Sequence, residues 1–235
     1  GIDSVLFDMV PKGVAENAPD AERNAMAIAG IKGALKAKPA ALFCKEFADR
    51  ITPANYDDHG ELLGDCDLII EVVVERLDIK HHVFSWVAKH RKAGSILASN
   101  TSGLSISDMA APMSDELKQH FLVMHFFNPV RYMRLLELVS GSDTNPEVTE
   151  TVAKFGEKVL GKGIVYAKDT PNFIANRIGT FGICSVFHHM DRLGLTVEAV
   201  DAIFGKAMGR PNSAVFRTAD LVGIDTLRHV LNTVY

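Results

Sequence analysis

The chain has 235 residues, of which 47% are hydrophobic and 23% charged, and a net charge of −4 at neutral pH. That length buries a full core and suits one large or two modest domains. No basic run marks a nucleic-acid patch and no basic amphipathic stretch marks a membrane surface, while the longest apolar run, Leu68–Val74 with Glu71 inside it, is too short to cross a bilayer.

Cys44, Cys66 and Cys184 are odd in number and widely spaced, and no CxxC or His/Cys ligand spacing occurs. Neither a disulfide framework nor a zinc site is expected, and a reducing, cytoplasmic compartment fits. The first residues, GIDSVLFD, carry no basic leader and no initiator methionine, so a natural start is not expected there.

Taken in chain order, residues 2–8 alternate apolar positions and read as a buried strand ending in Asp8. Residues 20–37 have helical spacing, with Asp20 as the expected N-cap and Pro39 just past the end. Residues 50–52 predict a short strand, and DLIIEVVV (67–74) a strand covered on both faces. A helix is expected over 79–90, a strand over 95–100, and strands over 120–127 and 133–139 around the Asn128-Pro129 turn. A helix over 145–162 opens with Pro146 and closes near Gly161, and residues 163–168 form a last strand.

After Asp169 no strand pattern returns; the segments 173–194, 196–209 and 220–231 are helical. Residues 1–168 therefore read as alternating β and α, implying a mainly parallel, doubly wound sheet, and residues 169–235 as all-α.

The usual phosphate-binding signature of such a sheet, GxGxxG, stands nowhere in the chain. Asp8 nevertheless ends its strand as a ribose-binding acid does in a dinucleotide fold, where a carboxylate accepts from the ribose hydroxyls and repels a 2′-phosphate, favouring NAD. An acid at a strand end is equally common in purely structural use. ASNTSG (98–103) follows a buried strand at the edge where open sheets hold ligands, and Asn100 and Ser102 offer short donors and acceptors there. Helix capping by Thr101, Ser102 or Ser105 is the other use of those residues.

His125 and Glu137 flank the Asn-Pro turn at a spacing that a hairpin-like return brings side by side. A carboxylate on one imidazole nitrogen fixes the tautomer and raises the basicity of the other, as proton abstraction from a hydroxyl requires. A structural pair at a sheet edge uses the same two residues. In DTPNFIANRIG (169–179), Pro171 suits a first helical turn capped by Asp169 or Thr170, and Asn176 falls near the junction of the two halves, where an interdomain hydrogen bond is its plainer use. Lys32, Lys36 and Lys38 cluster on or after the first helix, as a solvated face or a phosphate contact. The adjacent pairs His81-His82 and His188-His189 diverge on a helix and do not suit a shared metal.

The segments ASNTSGLSI, HFFNPVRYMRLLELV, KDTPNFIANRIG and TADLVGIDT, in that order, resemble the L-3-hydroxyacyl-CoA dehydrogenase family over nearly the whole chain. EVVVERLDIK (71–80) resembles the family segment that holds a cofactor-contacting glutamate and lysine, here Glu75 and Lys80. The resemblance implies an incomplete Rossmann-like doubly wound sheet followed by an all-α domain, and NAD-dependent oxidation of (3S)-3-hydroxyacyl-CoA to 3-oxoacyl-CoA in fatty-acid β-oxidation. It makes His125 the base and Glu137 its partner, sets Ser102 and Asn176 on the substrate's 3-oxygen, and puts Asn100 near the nicotinamide. Lys32 and Lys36 become contacts for the CoA phosphates, and the helical domain implies a homodimer.

The family's first strand, glycine loop and first helix have no counterpart ahead of Gly1, nor does its closing segment after Tyr235. The expectation is a chain cut at both ends and weakly active or inactive as it stands, from a protein resembling those that also carry an enoyl-CoA hydratase module. The competing readings are a related dehydrogenase of a free hydroxy acid or sugar acid, and a non-catalytic fragment that binds acyl-CoA or dimerises.

Overall fold

The computed structural model describes residues 1–234. Its strands are β1 (Ser4–Asp8), β2 (Ile51–Asn55), β3 (Leu68–Glu71), β4 (Ile96–Ser99), β5 (Phe121–Phe126), β6 (Leu135–Ser140) and β7 (Gly163–Ala167). The helices are α1 (Asp20–Arg23), α2 (Ala25–Lys36), α3 (Leu77–His90), α4 (Ile106–Ala110), α5 (Asp115–Gln119), α6 (Pro146–Lys158), α7 (Ala175–Leu193), α8 (Val197–Ile203), α9 (Phe216–Val222) and α10 (Ile224–Val234).

Strands β3 to β7 form one sheet in the order β3-β4-β5-β6-β7, parallel throughout except for the antiparallel β5–β6 pair. Because successive strand residues point to opposite faces, Leu97, Phe121, Val123 and Val139 pack on one side against Phe84 and Val87 of α3 and Met109 of α4. Ala98, Leu122, Met124, Leu136 and Leu138 pack on the other, against Val148 and Val152 of α6. Helices on both faces explain why the central strands read as unbroken apolar runs, and the architecture is the doubly wound α/β fold with a helical part behind it.

β1 and β2 pair with each other in a separate two-stranded parallel sheet. Side chains rather than a ladder join the two sheets: Phe7 and Tyr56 meet Trp86 of α3 edge-on at 5.4 and 4.9 Å between ring centroids. Behind β1, buried Arg23 reaches Asp58 at 2.5 and 2.7 Å, and Asn55 donates to Asn24 at 2.7 Å and to Asp58 at 2.9 Å.

Several local expectations are corrected. The helix expected over 20–37 breaks at buried Asn24, which turns to meet Asn55. Asp20 is the first residue of α1 and makes no cap bond. The strand expected over 50–52 runs on to Asn55, and that expected over 67–74 stops at Glu71, leaving Val72 and Val74 exposed. The helix expected over 220–231 is two helices, divided at Gly223, whose φ of 97° only glycine adopts readily.

The junction differs too. α7 begins at Ala175, four residues after Pro171, and neither Asp169 nor Thr170 caps it. Instead both oxygens of Asp169 accept the Ile106 amide at 3.1 Å, so the acid caps α4 on the other half of the molecule. Asn176 is consequently in the first turn of α7.

Candidate active site

The antiparallel register places His125 directly opposite Glu137. Both continue the row of Val123 and Val139 on the α3 face of the sheet, and both are buried, the glutamate at 0% exposure. His125 Nδ1 lies 2.7 Å from Glu137 Oε2. A carboxylate only accepts, so Nδ1 carries the proton and Nε2 offers its lone pair. Phe127 and Phe173 flank the ring at 4.5 and 5.6 Å between centroids.

Glu137 does a second thing that its sequence position does not announce. Its other oxygen accepts the amides of Ile174 at 3.1 Å and Ala175 at 2.7 Å, at the start of α7. Burial pushes its carboxyl up, but the His125 bond and the two amides outweigh burial and hold it below the usual carboxylate value. Glu137 is thus held toward its ionised form by His125 first and then by the start of the helix that opens the all-α part.

Just before that helix, Asn172 and Phe173 hold left-handed φ angles of 59° and 49°. For a buried phenylalanine this is a costly conformation, and it turns the ring onto His125. The 101–103 loop comes close to the same bend: a Cβ on Gly103 would sit 3.2 Å from Asn172 Oδ1.

At the carboxyl end of β4, the Asn100 amide donates to the Glu71 carbonyl at 2.9 Å, and Asn100 Oδ1 accepts the Phe126 amide beside His125 at 2.9 Å. Thr101 and Ser102 are held by Glu75, whose Oε1 accepts the Thr101 hydroxyl and, at 3.0 Å, the Ser102 amide. Of the cap residues considered for the helix that follows, Thr101 closes its own turn by accepting from Gly103 and Leu104, and Ser105 occupies the N-cap position without a cap bond. Lys80 is 1% exposed, and its ammonium lies 2.8 and 2.9 Å from the two oxygens of Glu71 and 3.4 Å from Glu75.

The structure therefore brings His125 and Glu137 together at the first turn of α7, where Asn176 sits, and links Glu75 to Lys80 and to the Ser102 amide, while Asn100 reaches the Phe126 amide beside His125. The side chains of Ser102 and Asn176 carry no hydrogen bond among the described residues. Asp8 ends β1 with one oxygen on the Met9 amide at 2.7 Å. Lys32 and Lys36 lie exposed on α2, joined to no acid among the described residues. Sequence reasoning misses Glu71 and Phe173. The signal for Glu71 is an acid inside an otherwise apolar run; for Phe173 there is none.

Polar groups gathered at the carboxyl ends of parallel strands, with an acid–base pair where a helical segment joins, define a dinucleotide-binding α/β domain coupled to a helical part. Two family models account for the chain: "3-hydroxyacyl-CoA dehydrogenase, NAD binding domain" matches residues 1–170, and "3-hydroxyacyl-CoA dehydrogenase, C-terminal domain" matches residues 173–235. The chain belongs to the 3-hydroxyacyl-CoA dehydrogenase family.

It is 47% identical over 244 residues to a probable 3-hydroxyacyl-CoA dehydrogenase of Bacillus subtilis, covering 100% of this chain and 31% of that protein. A probable 3-hydroxyacyl-CoA dehydrogenase of Deinococcus radiodurans is 42% identical over 230 residues, covering 98% of this chain and 65% of that one. The chain spans less than two thirds of either relative. The solved structure of FadB2 from M. tuberculosis superposes with a TM-score of 0.79 at 28% identity, covering 100% of this chain and 79% of that one.

Proposed function

We propose that the chain is the dehydrogenase portion of a protein that oxidises (3S)-3-hydroxyacyl-CoA to 3-oxoacyl-CoA with NAD, a step of fatty-acid β-oxidation. The observation that carries this reading is the buried His125–Glu137 pair docked on α7. His125 Nε2 takes the proton of the substrate's 3-hydroxyl, and Glu137 stabilises the imidazolium that forms. In the reverse direction the same imidazolium returns the proton. Ser102 and Asn176, whose side chains are unengaged among the described residues, bind the 3-oxygen and orient it.

The donor set fits NAD. The Asp8 carboxylate suits the adenosine ribose diol, and Asn100, just past β4, and Glu75, in the loop between β3 and α3, are assigned to the cofactor as well. Bound NAD supplies the hydride acceptor, and the protein supplies geometry and charge. Lys80 serves that half from within, since its ammonium is spent on Glu71 and Glu75. Exposed Lys32 and Lys36 are assigned to the CoA phosphates.

We divide the chain into an NAD-binding part, 1–168, and a helical part, 169–235, and assign the helical part to pairing with a second copy. Exposed Ile178, Phe181 and Leu193 on α7 support that pairing. Among the described residues no helix is long and apolar enough to cross a membrane. The free cysteines favour a reducing, cytoplasmic setting.

The test is NADH formation from 3-hydroxybutyryl-CoA and from free 3-hydroxybutyrate, with the full-length polypeptide. Turnover of the CoA ester alone, lost in His125→Gln, is expected. Turnover of the free acid, or full activity in His125→Gln, would sink the reading.

A further inference from the structure

Glu71 has no place in the chemistry above, yet it is the most fully engaged carboxylate in the sheet. It is 4% exposed at the end of β3, directly opposite Ser99. Its oxygens accept the Ser99 hydroxyl at 2.6 Å, the Val73 amide at 2.6 Å and the Lys80 ammonium at 2.8 and 2.9 Å. A buried ion pair is a weak source of stability, because apolar side chains of similar shape often serve as well or better. Stability alone therefore gives no reason for this pair.

What the pair does supply is direction. One arm runs from Glu71 through Ser99, whose hydroxyl oxygen accepts the Thr101 amide at 3.2 Å. A second runs through Lys80 to Glu75 at 3.4 Å, and from Glu75 to the Thr101 hydroxyl and the Ser102 amide. The two arms meet on Thr101, and the second also holds Ser102. Two carboxylates share one ammonium, so the orientation of Glu75 depends on Lys80, and that of Lys80 on Glu71.

We propose that Glu71 is a positioning residue that, through Ser99 and through Lys80 and Glu75, sets the 100–103 loop and with it the Asn100 and Ser102 side chains. The loop's use of those side chains on cofactor and substrate rests on the dehydrogenase function proposed above; its positioning does not.

The experiment follows amide hydrogen exchange in the full-length polypeptide. The double substitution Glu71→Met with Lys80→Met removes the pair without leaving a lone buried charge. Ser99→Ala, a milder change, cuts the first arm only. With the double substitution the Ser102 amide is expected to exchange about tenfold faster, the loss of roughly one hydrogen bond to a charged group. Core amides such as Leu122 keep their protection, and KM for NAD rises more than kcat falls.

Ser99→Ala is expected to speed exchange at Thr101 in the same selective way, which decides the matter should the double variant fail to fold. Wild-type protection of Ser102 and Thr101 in these variants, or acceleration that merely tracks Leu122, overturns the proposal. Selective acceleration in the variants, when the wild-type polypeptide makes no NADH, upholds the positioning role and removes the dehydrogenase reading instead.

Discussion

Glu137 and Ala175 are joined by a 2.7 Å hydrogen bond from the Ala175 amide to the carboxylate that also orients His125. One acid thus serves two masters: the imidazole in the sheet and the first turn of the long helix behind it. Replacing it with glutamine keeps the shape and removes the charge. Glu137→Gln is expected to lower kcat about a hundredfold, within the range for a general acid–base group losing its partner. Steady-state rates of NADH formation check this, and a rate within twofold of wild type would contradict it.

The same carboxyl has a pH signature. Its folded value lies below its ordinary value, so its contribution to stability is complete above the ordinary carboxylate range and is lost as the pH falls through the lowered folded value. Asp58, held by Arg23 and then by Asn55, is lowered from 3.8 to about 2 and follows the same sign. Urea midpoints measured from pH 5 down to about pH 2 are expected to fall less steeply in Asp58→Asn than in wild type. Parallel curves would show that the Arg23 contact adds nothing in solution.

Asp169 caps α4 from across the junction. Asp169→Ala is expected to cost about 1 kcal/mol, the usual value of a lost cap. Chemical denaturation measures it, and an unchanged midpoint would mean that Ser105 takes over the cap.

Phe173 combines a left-handed backbone with a fully buried ring against His125. Phe173→Ala removes the ring but keeps the unfavourable φ, and is expected to cost about 3 kcal/mol. Phe173→Gly loses the same ring but relieves the backbone, and is expected to be the more stable of the two by roughly 1 kcal/mol. Thermal melts of the pair decide; the opposite order would show that the bend relaxes freely.

Much of the sheet is readable from local pattern. Residues 121–126 and 135–140 carry enough apolar character on both faces to announce buried strands, and Asn145-Pro146 announces a helix start that the Asn145 side chain indeed caps at 2.9 Å. Element ends are less readable, because what ends them is often far away. Asn24 breaks a helix for the sake of Asn55, and Glu71 ends a strand where the apolar run continues to Val74. In the candidate site, the Asn-Pro turn allows the His125–Glu137 pairing, and the register of β5 on β6 makes it.

By itself the sequence determined where the central strands run and that strands alternate with helices before residue 169 and not after, although the strand expected to be buried over 2–8 is only half-buried as β1. These follow from side-chain periodicity and turn chemistry, which act over a few residues. Only the tertiary structure decided that the acid at 137 would also hold Ala175, that Asp169 would cap α4 rather than its own helix, and that Lys80 would be enclosed by Glu71. Buried Glu71 and Glu137 must be satisfied by whichever donors the folded chain brings to them, and Lys80, Ser99 and Ala175 lie 9, 28 and 38 residues away.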